Sequence, residues 1–77
     1  MANKVNRYAA LSALLVGSAH VKYQREIFNR WAADCGISAG ILRRRIADPE
    51  TIELGELRQM ASAVGVDPSR IIEVLPL

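Results

Sequence analysis

The chain is poor in the residues from which covalent staples and metal centres are built. Its 77 residues include one cysteine, Cys35, and one histidine, His20. A lone cysteine closes no intramolecular disulfide, and neither residue assembles a metal site by itself. Such sparing use of cysteine fits a reducing compartment, read here as the cytoplasm. No apolar run approaches the roughly 20 residues of a membrane-spanning helix, so no membrane association is expected. No stretch alternates apolar and polar residues as a half-buried strand does. A glycine-rich phosphate loop, metal-ligand spacing and a nucleophile motif are all missing from the sequence. The expectation is a protein that is not an enzyme, with no cofactor and no small-molecule substrate.

Apolar and basic residues are plentiful. Half of the chain is apolar, at 51%, which suffices for one small core, so residues 1–77 are read as a single domain. The net charge of +2 is unevenly spread. Residues 1–19 carry Lys4 and Arg7 and no acid. Residues 20–48 carry Lys22, Arg25, Arg30, Arg43, Arg44 and Arg45 against Glu26, Asp34 and Asp48, a net +3. Residues 49–77 carry Arg58 and Arg70 against Glu50, Glu53, Glu56, Asp67 and Glu73, a net −3. Basic charge gathered in one part of a chain points to a polyanionic partner.

The start, "MANKVNRYAALSALLVGSAH", combines a basic opening, an apolar run and small residues, as a signal peptide does. The apolar run is short and broken by Ser12, however, and Val5, Tyr8, Leu11 and Leu15 recur at helical spacing. The segment is therefore read as a first helix over residues 3–16, ending at Gly17-Ser18. A second, amphipathic helix passes through Tyr23, Ile27, Trp31 and Ala32 and stops at Gly36. His20 falls in the connection between them. Ser38 caps a third helix that ends at Asp48-Pro49. The fourth repeats Leu54, Leu57, Ala61 and Val64 before Gly65, and Glu50, Glu53 and Glu56 read as its solvated acidic start. The fifth opens at Asp67-Pro68 and runs through Ile71, Ile72 and Leu75. The sum is an all-α, compact five-helix domain. Trp31 and Cys35 read as core residues.

The third helix contains three consecutive arginines, Arg43, Arg44 and Arg45. With Leu42 at zero on a wheel turning about 100° per residue, Ala39 and Ile46 fall within roughly 60° and form the buried stripe. Gly40, Arg43, Arg44 and Ala47 gather between about 100° and 200°. Arg45 lies at the margin, its stem along the edge of the core. Two arginines beside residues without bulk suit close approach to a groove, because arginine pairs two donors with guanine or grips phosphate.

The run "WAADCGISAGILRRRI" joins a helix with a small inner residue, Ala32, to a tight turn at Gly36 anchored by Ile37, and then to the arginine helix. With "DPETIELGELRQMASAVGVDPSRII", it resembles the phage-repressor-like (Cro/CI-type) helix-turn-helix family over residues 27–72. The resemblance implies a lambda-repressor-like domain and a sequence-specific transcriptional regulator that binds double-stranded DNA, with the second motif helix in the major groove. It implies Ala39, Gly40, Arg43, Arg44 and Ala47 as the base-facing residues, and Ser38 and Arg45 complete the candidate DNA-binding set. Where family members commonly carry Thr or Ser followed by Gln at the start of the first motif helix, this chain has Ile27-Phe28. Ala39 and Gly40 offer no side-chain hydrogen bonds to bases, so DNA shape takes a share of the specificity. A homodimer is expected, formed by Ile71, Ile72, Val74, Leu75 and Leu77 near the chain's end. The alternative is a helix-turn-helix used as a protein-interaction module, either antitoxin-like or an inhibitor of a nucleic-acid enzyme.

Overall fold

The architecture follows from a few buried stripes and the residues that end them. The computed structural model describes residues 7–76. The expected start of the first helix at Asn3 and the expected interface residue Leu77 lie outside the described residues. Within them are five α-helices: α1 (Ala9–Tyr23), α2 (Ile27–Cys35), α3 (Ala39–Ala47), α4 (Leu54–Ala63) and α5 (Pro68–Val74). A short 3-10 turn, Pro49–Thr51, links α3 to α4. The described residues contain no strand.

In α1, Leu11, Leu15, Ala19 and Tyr23 recur every four residues and are all buried. That stripe carries the helix straight through Gly17-Ser18, where the sequence suggested a stop. Glycine inside a helix costs about 1 kcal/mol relative to alanine, and two further buried contacts, Ala19 and Tyr23, outweigh it. Tyr23 thus belongs to the end of α1, and His20 is an exposed helical residue rather than part of a connection.

The reversal into α2 is made without glycine. Gln24 has φ 64° and ψ −36°, and across it the Arg25 N–H donates to the Tyr23 carbonyl at 2.6 Å. This is a γ-turn of the rare, strained hand. Glu26 then sits in the left-handed region with φ 48°. Side-chain ties hold the corner shut. The Tyr23 hydroxyl donates to Asp34 Oδ2 at 2.6 Å, and Lys22 Nζ donates to the Ala63 carbonyl at the end of α4.

Helix α2 packs against α1, α3 and α4. Its Trp31 is fully buried, and the indole Nε1–H donates to the Met60 carbonyl of α4 at 3.1 Å. The same buried cluster includes Leu15, Ala32, Leu42, Met60 and Ala61. Helices α2 and α4 end alike, with "AADCGI" in one and "ASAVGV" in the other. Gly36 and Gly65 both have φ 73°, and the following Ile37 and Val66 N–H groups donate back to the Ala32 and Ala61 carbonyls at 3.1 and 2.9 Å. These are Schellman stops, each with a half-buried apolar residue after the glycine.

Two apolar expectations need correction. Leu54 is 75% exposed, so the inward face of α4 runs through Leu57, Met60, Ala61 and Val64 instead. Ile71, expected on a dimer surface, is buried in the core. A seven-residue helix lying on α1 and α4 must place one side chain inward, and Ile71 is the one.

Two glycine substitutions should move stability in opposite directions. Gly36→Val meets no steric neighbour but forces a Cβ into positive φ, at about 1–2 kcal/mol. Gly17→Ala also meets nothing, and in a helix interior it should stabilise by about 0.5–1 kcal/mol. Thermal melts followed by circular dichroism check both, at roughly 4–8 °C per kcal/mol for so small a domain.

Candidate nucleic-acid interface

Helix α3 is presented to solvent by its own start signal and by the burial of one stripe. Ser38 is extended, with φ −76° and ψ 153°, and its Oγ accepts a hydrogen bond from the Ile41 N–H at 3.1 Å. Leu42 is fully buried, with Ala39 and Ile46 half-buried beside it. This fixes the rotation of the helix. Gly40, Arg43, Arg44 and Ala47 are all exposed on its outer side, as the wheel requires. The helix is further tied to α1 by Ser12, whose Oγ donates to the Ile46 carbonyl at 3.4 Å.

The three arginines meet three different environments. Arg45 turns away from the outer face: its Nε donates to Glu56 Oε1 at 3.1 Å and Oε2 at 3.3 Å. Its place in the candidate DNA-binding set is therefore corrected. A residue roughly 60° from the buried Leu42 on the wheel reaches the neighbouring helix before it reaches solvent. Arg43 lays its guanidinium over the Phe28 ring of α2, 4.5 Å from the centroid. Phe28 in turn sits 6.0 Å from the Trp31 ring. Arg44 projects from the outer face with no carboxylate or ring partner among the described residues.

Glu56 also departs from its expected role as a solvated acid. Its side chain is 19% exposed. Besides Arg45, its Oε1 accepts the Glu53 N–H at 3.0 Å, satisfying a donor at the start of α4. The Glu53 N–H, helped by the Arg45 guanidinium and opposed by burial, holds the Glu56 carboxyl below the usual glutamate range. Glu50 and Glu53 remain exposed.

The Phe28 platform is the part of the site that sequence reasoning missed. Phe28 and Arg43 lie on different helices, and no periodic signal connects them; the departure at Ile27-Phe28 was its only trace in the sequence. Elsewhere, Cys35, the last residue of α2, is buried. Burial, with Asp34 nearby, pushes its thiol up and keeps it protonated. No group of three or more His, Cys, Asp or Glu side chains that could hold a metal ion occurs among the described residues. No helix among them is long and apolar enough to cross a membrane. Of the expected dimer residues, Ile72 is exposed, while Val74 and Leu75 are half-buried against the core. Comparison with protein-family models, with curated proteins and with solved structures finds no match to this chain.

The hydrogen bond from the Glu53 N–H to Glu56, with the Arg45 pair beside it, predicts a pH dependence. Because Glu56 has a lowered native pKa, the folded chain binds fewer protons there than the unfolded chain under acid conditions. Its stabilisation is complete at neutral pH and lost as the pH falls from the ordinary glutamate range through the lower native value. Glu56→Gln should therefore be less stable than the parent near pH 7, with the gap narrowing towards about pH 3. Urea unfolding at both pH values checks this; a gap that stays constant contradicts it.

Proposed function

We propose that the chain is a sequence-specific DNA-binding regulator of transcription that lays the outer face of α3 in the major groove. The observation that carries this reading is the pairing of Arg43 and Arg44 with Gly40 and Ala47 on one exposed helix face. Small side chains let the backbone approach base edges, and arginine supplies the donors that guanine and phosphate accept. With Arg45 neutralising Glu56, less negative charge stands between α3 and a phosphate backbone. The helix–turn–helix of α2 and α3 and the resemblance of residues 27–72 to phage-repressor-like regulators support the same reading. The reading includes action in the cytoplasm as a homodimer, with Ile72 as the exposed apolar residue of α5 that two copies share. Two recognition helices related by a two-fold axis read a palindrome with half-sites about one turn apart.

One observation favours a second reading, a protein-interaction module. Glu50, Glu53 and the 75% exposed Leu54 follow α3 directly. An acidic patch carrying an exposed leucine suits a protein partner better than a phosphate backbone.

A gel-shift titration in rising salt separates the two. Binding to duplex DNA should weaken along a steep logarithmic salt slope as counterions are released. Arg43→Ala and Arg44→Ala should each lower affinity for a selected site, by about 1–3 kcal/mol where the lost contact is bidentate to a base. Arg44→Ala should leave the melting temperature unchanged, whereas Arg43→Ala should lose about 0.5–1 kcal/mol of stability with its ring contact. Unaltered DNA binding in both variants would remove α3 from the interface.

A further inference from the structure

We infer that the two outward arginines divide the work, and that Phe28 is the residue that divides it: Phe28 holds Arg43 as a guanine reader, while Arg44 acts as a mobile charge for phosphate. This inference rests on the DNA-binding reading above and deepens it by naming a specificity-determining residue outside α3.

A guanidinium group is planar, its donors lie in the plane, and its faces carry none. A ring beneath one face therefore restricts the orientation of the plane without consuming a donor. The Arg43 guanidinium carbon stands over the Phe28 ring, 4.5 Å from its centroid, so the ring takes up one side of the group. Phe28 itself is half-buried and backed by the fully buried Trp31, 6.0 Å away. The platform is thus anchored in the core, and it transmits the core's rigidity to the arginine.

A restricted planar fork matches one kind of acceptor better than another. Guanine O6 and N7 lie in one plane and demand two aligned donors. A phosphate presents oxygens in several directions, so a fork can meet it from many orientations. Pre-orientation therefore gains little at phosphate and more at guanine, because rotamer freedom is removed before binding rather than during it. Gly40 and Ala47, exposed on the same face, leave room for base edges to come close. Among the described residues Arg44 has no ring platform, and it keeps the freedom that a phosphate contact tolerates. The arginine over the ring reads, and its neighbour holds.

The test uses the full chain and a duplex selected from a random pool, with each guanine of the site replaced in turn by 7-deazaguanine, which lacks the N7 acceptor. One guanine should show a loss of roughly ten-fold in affinity for the parent protein, as expected for breaking half of a bidentate contact. Arg43→Ala should abolish that position's penalty, whereas Arg44→Ala should keep the penalty and lower the salt slope by about 1. Phe28→Leu removes the ring and keeps an apolar side chain. It should shrink the same penalty by about two- to five-fold, the equilibrium equivalent of an exposed cation–π contact, without altering the salt slope. Phe28→Tyr, which keeps the ring face, should restore it and serves as the control if Phe28→Leu folds poorly. A purely structural role for Phe28 would scale binding to every duplex equally and leave the deazaguanine penalty intact, which overturns the inference while the DNA-binding reading stands. A selected site whose guanines are all insensitive, or sensitive through Arg44 instead, overturns it as well. Absence of any salt-dependent duplex binding overturns both together.

Discussion

The rest of the molecule depends on the burial of Trp31. Its indole is enclosed completely and cannot be left with an unpaired N–H, since a buried donor without a partner costs about 1–3 kcal/mol. The Met60 carbonyl accepts it, so α2 and α4 are fixed against each other by one directional bond at the centre of the core. With α2 fixed, the turn at Gly36 aims α3, and the burial of Leu42 sets its rotation. Phe28, one turn before Trp31 on the same helix, then stands where Arg43 can reach it. A single aromatic side chain thus links the packing of the core to the geometry of the outer face.

The triple arginine shows how one stretch of like charge can be accommodated in a small domain. Three adjacent guanidinium groups repel one another if all stay on one side. A helix turns them about 100° apart, so each meets a different neighbour: a carboxylate for Arg45, an aromatic face for Arg43 and solvent for Arg44. The acidic run after α3 is also less uniform than its composition suggests, because Glu56 works at a helix start and as the counter-ion of Arg45. Charge that looks like a single patch in sequence is partitioned by the fold.

Much of this was legible because the signals were local. Ser38, Gly36, Asp48-Pro49, Gly65 and Asp67-Pro68 each mark a helix end through their own backbone chemistry, and the helices begin or end beside them. The rotation of α3 was also legible, since one apolar stripe settles it. The first connection was not: Gly17-Ser18 resembles a stop but lies inside α1, while the real corner at residues 24–26 contains neither glycine nor proline. There the tertiary ties of Tyr23 and Lys22 override local propensity. The Phe28–Arg43 contact and the choice of Glu56 among three acids were not legible either, because each depends on which helices meet. Ile71 looked like surplus apolar surface until α5 was seen to place it in the core.

The central claim is that the outer face of α3 is where the protein meets duplex DNA. Nuclear magnetic resonance of the isotope-labelled chain during titration with a selected duplex tests it most directly, because every backbone amide reports separately. The largest shift changes should cluster at Gly40, Arg43, Arg44 and Ala47, with the Arg43 side-chain Nε–H moving as well. Shift changes centred on Glu50, Glu53 and Leu54, or no changes at all on adding DNA, would contradict it.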